Sequence, residues 1–208
     1  MVERQLRRRG IEDERVLEAM GAVPRELFVQ DRLAGRAYAD SALPIGDEQT
    51  ISQPWVVAAI CQALELIGGE AVLEVGTGSG YSAAVLAVLA GRVVSIERYE
   101  SLATEAAARL ERLGLGDRVE VRVGDGSLGA PDDAPFDAIP VHASAPAPPP
   151  ALLEQLRPGG RLVVPVAEPG ADVLTVIRRT DQGYDQRRLA PCRFVPLVGE
   201  HGFPDRGA

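Results

Sequence analysis

The sequence predicts an α/β domain: a doubly wound, mostly parallel sheet with helices on both faces, an N-terminal helical extension and C-terminal antiparallel strand(s). Three observations predict it. Short apolar runs alternate with helix-favouring segments between residues 55 and 170, the order of parallel strands joined by crossover helices. The glycine-rich turn Gly76-Thr77-Gly78-Ser79-Gly80 joins one apolar run to a helical segment. An acid, Glu97, then ends the next apolar run about twenty residues on, as in the Rossmann-like βαβ unit.

The 208 residues fit one domain. Residues 1–54 hold helices and a long loop, 55–170 the alternating core, and 171–208 the final strands. A first helix starts with Val2, Leu6 and Arg9, and Asp13 caps a second with Val16, Leu17 and Met20 as its apolar stripe. In so acidic a chain Arg7-Arg8-Arg9 reads as a solvated helix face. Pro24 opens a short turn with Phe28 and Val29 packed inward. Residues 35–54 are irregular and polar, and a loop of that length inside a compact domain is often functional.

Residues 55–67 form an amphipathic helix through Val56, Ala59, Ile60, Ala63 and Leu64. The apolar run 71–73, the glycine turn, a helix over 82–90 and a strand over 92–96 make the βαβ unit. A crossover helix over 101–113 ends at Gly114. Strands follow at 119–123, closed by Gly124-Asp125-Gly126, and at 136–141, before a proline-rich loop. A short helix spans 151–156, and Pro158-Gly159-Gly160 turns into a strand over 161–166. The last strands, 173–178 and 193–197, have no helix between them, so at least one runs antiparallel.

A hydrophobic fraction of 46% and a charged fraction of 25% are those of an ordinary globule. The net charge of −8 argues against nucleic acid or an anionic membrane as partner. All 22 basic residues are Arg, which removes lysine chemistry. Cys61 and Cys192 show no pairing motif and no apolar signal region opens the chain, so a cytoplasmic location is expected. No apolar run approaches the roughly 20 residues of a membrane span.

The glycine spacing selects a ligand. A dinucleotide site reads G-x-G-x-x-G; this chain reads G-x-G-x-G, with no Lys to make a phosphate loop. Glu74, two residues ahead of the first glycine, repels a pyrophosphate and suits a cation. S-adenosylmethionine, with its sulfonium, ammonium and ribose, fits these charges. Its expected contacts are Glu74, Gly76, Thr77, Gly78, Ser79 and Gly80, with Glu97 on the ribose hydroxyls and Asp125 and Gly126 at the base. Asp125 is placed to accept an adenine amine, or to cap its own turn. No metal is expected.

Beyond the glycine motif, the chain carries Arg9-Gly10-Ile11, Arg15-Val16-Leu17, Val23 to Val29, Tyr38-Ala39-Asp40 and Leu43 to Gly46. The series continues through Gln49-Thr50-Ile51-Ser52-Gln53-Pro54, Glu74 to Tyr81, Ser95 to Arg98, Gly124-Asp125-Gly126 and Phe194 to Leu197. In order along the chain, these segments make a resemblance to the protein-L-isoaspartate O-methyltransferases. It implies methyl transfer to the free α-carboxylate of L-isoaspartyl residues in damaged proteins and peptides, followed by collapse to a succinimide. By resemblance Ser52 is the catalytic residue, holding that carboxylate, while Thr50, Ile51 and Gln53 shape the peptide groove. Ser52 also has the chemistry of a cap for the helix that follows. A general base is unnecessary, because a carboxylate is ionised at neutral pH. His142 is a pocket-wall residue on the substrate side, or a base, and His201 is placed near the groove. A monomer is expected.

Two positions depart from the family pattern. Glu48 replaces a Gly before Gln49, and Pro140 interrupts a strand expected to be buried, where proline is disfavoured. These departures leave open two alternatives: methylation of another carboxylate or small molecule, and a non-catalytic cofactor-binding homologue.

Overall fold

A computed structural model describes residues 1–205. After a π-helical turn at Val2–Leu6, Asp13 caps α1 (Glu14–Ala22), its side chain accepting from the backbone N–H groups of Arg15 and Val16. α1 buries Val16, Leu17 and Met20, and Phe28 and Val29 pack inward as the sequence predicts.

The 35–54 segment is not an irregular loop throughout. β1 (Leu43–Gly46) and β2 (Gln49–Ile51) pair antiparallel as a separate hairpin. The turn residues Asp47 and Glu48 have φ of 46° and 57°, the two-residue left-handed turn that matches strand twist. Polar turn residues and strands this short hide the hairpin from a pattern search. α2 (Pro54–Leu64) ends earlier than its apolar pattern implies, because Glu65 turns left-handed at φ 51° and leaves Ile67 in solvent.

The main sheet has seven strands in the order β5-β4-β3-β6-β7-β8-β9. They are β3 (Ala71–Val75), β4 (Arg92–Glu97), β5 (Val119–Val123), β6 (Phe136–Pro140), β7 (Leu156–Glu168), β8 (Ala171–Thr180) and β9 (Gly183–Cys192). β3 to β7 run parallel; β8 is antiparallel to β7, and β9 to β8. The crossovers carry α3 (Tyr81–Leu89), α4 (Glu100–Arg112) and α5 (Pro150–Glu154). Val72, Val93, Ala138 and Val163 join the core on one face; Leu73, Val94, Ile139 and Leu162 join that on the other. This period of two is what a sheet covered on both sides requires.

Two sequence expectations need correction at the C-terminal end. The last strand is Gly183–Cys192, not residues 193–197. Asp185, Gln186, Arg187 and Arg188 are exposed on this edge strand, so it carries no apolar signal. Residues 193–197 instead cross to the sheet top, where Ser144 N–H donates to Val195 O at 2.8 Å and Leu197 N–H to Ser144 O at 2.7 Å. β7 also starts earlier than expected: Pro158-Gly159-Gly160 lies inside it, at an irregularity in its pairing with β6.

Pro140 ends β6 early, as a residue without an N–H does. Pairing of β6 with β3 thins to Val72–Ala138 and resumes beyond the proline, where His142 N–H donates to Val75 O at 2.8 Å. Among the described residues no helix is long and apolar enough to cross a membrane.

Candidate active site

The strand order reverses between β3 and β6, and a cleft opens above their carboxyl ends, the place where such sheets bind ligands. It holds about 780 Å³ of space, open solvent included. Its floor is the glycine turn. Gly76, Gly78 and Gly80 have φ of 90°, 53° and 87°, values that L side chains rarely adopt. A Cβ on Gly78 would stand 3.4 Å from Ile45, so the β1–β2 hairpin closes directly over the turn.

Glu97, at the tip of β4, is locked from below. Gly78 N–H donates to one carboxylate oxygen at 2.8 Å and Tyr99 N–H to the other at 3.1 Å. Each oxygen keeps one lone pair, so that the carboxylate can serve two neighbouring hydroxyls, and Glu97 lines the cleft. Beneath the turn, Ser95 Oγ donates to Glu74 Oε2 at 2.5 Å. With the Ser95 proton used there, Thr77 is the donor in its 2.6 Å contact with Ser95. Glu74 is wholly buried and lies below the turn, not in the cleft wall. Its Oε1 accepts no hydrogen bond, and His142 Nε2 lies 3.3 Å away while also meeting Ser82 Oγ at 2.8 Å.

Asp125 caps the turn at Gly126–Leu128, accepting from Ser127 N–H at 2.9 Å and Ser127 Oγ at 2.7 Å. Its other oxygen accepts from Glu200 N–H at 2.8 Å and keeps one lone pair for a further donor. Asp125 stands beside the cleft and not in its lining, whereas Gly126 lines it, and a Cβ on Gly126 would come within 2.5 Å of Val75. His201 does not line the cleft; its N–H donates to Ser127 Oγ at 3.0 Å.

A second chamber of about 720 Å³, open solvent again included, adjoins the first, and the two share Thr50, Ser52, His142 and Val195. Ile51 faces the first chamber, Gln53 the second, and Gln53 Nε2 donates to Asp40 O at 3.1 Å. Ser52 does not cap α2: the N-cap is Gln53, without a side-chain hydrogen bond. The Ser52 hydroxyl is therefore free for a ligand. Cys192 lines the second chamber, but burial, with the Asp172 charge nearby, pushes its thiol up to about 11. It stays protonated at neutral pH and is no nucleophile. Glu48 projects from the hairpin tip outside both chambers.

Sequence reasoning missed two contributors. Arg25 is buried behind Ser52 and donates to its carbonyl at 2.7 Å. Residues 195–198 of the tail wall the first chamber. Both fall in segments that carry the family resemblance, but no local pattern marks either as part of the site. Among the described residues no cluster of His, Cys, Asp and Glu could hold a metal ion.

Comparison with known proteins places this arrangement. The family profile for Protein-L-isoaspartate(D-aspartate) O-methyltransferase (PCMT) matches residues 1–202. A protein-L-isoaspartate O-methyltransferase 1 from Syntrophobacter fumaroxidans is 55% identical over 203 residues, covering 98% of this chain and 94% of its own. The protein-L-isoaspartate O-methyltransferase from Geobacter metallireducens is 50% identical over 204 residues, with the same coverage. Among solved structures, a protein-L-isoaspartate O-methyltransferase superposes with a TM-score of 0.85 at 29% identity, covering 94% of this chain and 64% of that one. A Plasmodium falciparum structure assigned to the same activity, in complex with S-adenosyl-L-homocysteine, gives 0.80 at 26% identity over 92% and 94% of the two chains. By sequence, fold and the elements that build its cleft, the chain belongs to the protein-L-isoaspartate(D-aspartate) O-methyltransferase family.

Proposed function

We infer that this protein transfers a methyl group from S-adenosylmethionine to the free α-carboxylate of L-isoaspartyl residues in proteins and peptides. The observation that carries the reading is the junction of two chambers at Thr50, Ser52 and His142. One chamber has the glycine floor and the Glu97 carboxylate; the other is bounded by Arg9, Trp55 and Arg193.

Gly76 to Gly80 let the backbone approach the cofactor, and Glu97 accepts its ribose hydroxyls on the lone pairs that Gly78 and Tyr99 leave over. Gly126 leaves room for the base, and the remaining lone pair of Asp125 suits an adenine amine. S-adenosylmethionine, when bound, supplies an electrophilic methyl group on a sulfonium. The residues of this chain then need only hold an ionised carboxylate in line and keep water out. Ser52 donates its uncommitted hydroxyl to that carboxylate. Thr50 and Gln53 wall the peptide, and Ile51 stands on the cofactor side of the junction. His142 is a wall residue too, since its Nε2 is committed to Ser82.

The same reading treats the chain as one domain, a cytoplasmic monomer without a nucleic-acid partner. The charge of −8 and two free cysteines are in keeping with it.

Labelled-methyl transfer to two peptides differing only in an isoaspartyl or aspartyl linkage tests the function; base-labile label on the first alone is the expected result. Ser52→Ala should lower kcat on that peptide roughly 100-fold, the size of effect that misplacing a reacting group produces, with cofactor affinity unchanged. Full turnover by Ser52→Ala would remove Ser52 from the reaction.

A further inference from the structure

The most unusual side chain outside the cleft is Arg25. It is fully buried, yet among the described residues no carboxylate pairs with it. Its Nε–H donates to Ala37 O at 2.8 Å, its Nη2 to Ser52 O at 2.7 Å, and its Nη1 has no partner. The guanidinium lies over the Tyr81 ring, 4.7 Å from the centroid, and Phe28 meets that ring edge-on at 5.5 Å. Tyr81 is the first residue of α3, directly after Gly80. One planar group thus ties the backbone at Ser52 to the start of the helix that leaves the glycine turn.

An apolar residue of this size would fill the space without burying an unpaired charge, and such replacements are commonly neutral or stabilising. Packing therefore does not account for an arginine. Two backbone acceptors at fixed angles and an aromatic face do: only a guanidinium offers a fork and a stacking plane together.

We propose that Arg25 is a positioning residue for methyl transfer, fixing the Ser52 main chain, and so the direction of the Ser52 hydroxyl, relative to the glycine turn. The inference rests on the reading of Ser52 as the group that holds the substrate carboxylate. Arg25 lines neither chamber, so it acts through Ser52 and not by touching substrate. Its uncompensated positive charge, set in a poorly screened interior, also favours an anion in front of Ser52.

A double-mutant cycle on the intact enzyme tests this, with kcat and KM on an isoaspartyl peptide and calorimetric affinity for S-adenosylmethionine as readouts. Arg25→Lys keeps the charge and loses the fork. It should lower kcat about 10-fold or more, and change cofactor affinity less than about 2-fold, since only orientation is disturbed. In a Ser52→Ala background the same substitution should change kcat less than about 2-fold, because coupled residues are not additive. An equal fall in both backgrounds, or a parallel loss of cofactor affinity, would make Arg25 a scaffold residue and overturn the proposal. Ser52→Ala with full turnover would sink the Ser52 reading first. If Arg25→Lys does not fold, Arg25→Gln, checked for a native thermal transition, runs the same cycle.

Discussion

Glu48, which the sequence singles out, stands outside both chambers. It is exposed at a hairpin tip, with φ of 57° beside Asp47 at 46°. A left-handed conformation costs an L residue about 1–2 kcal/mol, and glycine gives back about 0.5–1 of that in lost chain entropy. Glu48→Gly should therefore raise the thermal transition by a few degrees, roughly 0.5–1 kcal/mol, without changing kcat. An unchanged or lower midpoint by circular dichroism would refute the strain argument. Gly126→Ala should do the reverse, because its Cβ would meet Val75 at 2.5 Å. The expected loss is about 1–3 kcal/mol, the usual cost of overpacking. Single residues are legible in the sequence where a motif fixes the chemistry. Glu97 and the three glycines lie where their spacing puts them. Asp125 is legible only as two alternatives, and its observed bonds show that the cap is made. Arg25 is not legible as a site residue, because nothing near it in the chain says that it will be buried behind Ser52.

Whole elements follow the same rule. The inner parallel strands β3, β4 and β6 are buried on both faces and announce themselves. The β1–β2 hairpin and β9 do not, since one has very short strands around a polar turn and the other exposes its charges along an edge. The tail is the element that matters most to the cleft. Asp172, on β8, accepts from Ser144 Oγ at 2.7 Å and from Phe194 N–H at 2.8 Å, pinning the segment that supplies residues 195–198 to the wall. Asp172→Ala should weaken cofactor binding several-fold and cost about 2 kcal/mol, the range for losing bonds to a charged group. Calorimetry on the folded variant checks both. Unchanged affinity would mean that the tail holds its place without this clamp.

On the scale of the molecule, the topology is readable because strand and helix signals alternate, and the switch point follows from the order in which they do so. Acid sensitivity also belongs to this scale. Burial pushes the Asp125 carboxyl up, but hydrogen bonds from Glu200 N–H and Ser127 outweigh it and hold the group below its ordinary 3.8. Asp133, bonded first to Arg122 and then to Arg92, is also held below its ordinary value. A carboxyl held low stabilises the fold at pH above its unfolded value, and that contribution is lost as pH falls through the depressed folded value. Thermal midpoints should thus decline below about pH 4, where both groups take up protons, and Asp125→Asn should flatten part of that decline. A variant whose acid limb matches the parent would exclude Asp125 as a contributor.

The cleft draws its walls from residues 49–52 and from residues 195–198, with the whole βαβ core between them. During synthesis the glycine turn and Ser52 leave the ribosome long before the tail does. A nascent chain can fold much of its sheet and still lack one side of the cofactor chamber. Competence to methylate therefore arrives late, with the segment that follows β9, and any clip in the tail after Arg193 would revoke it while leaving most of the fold intact.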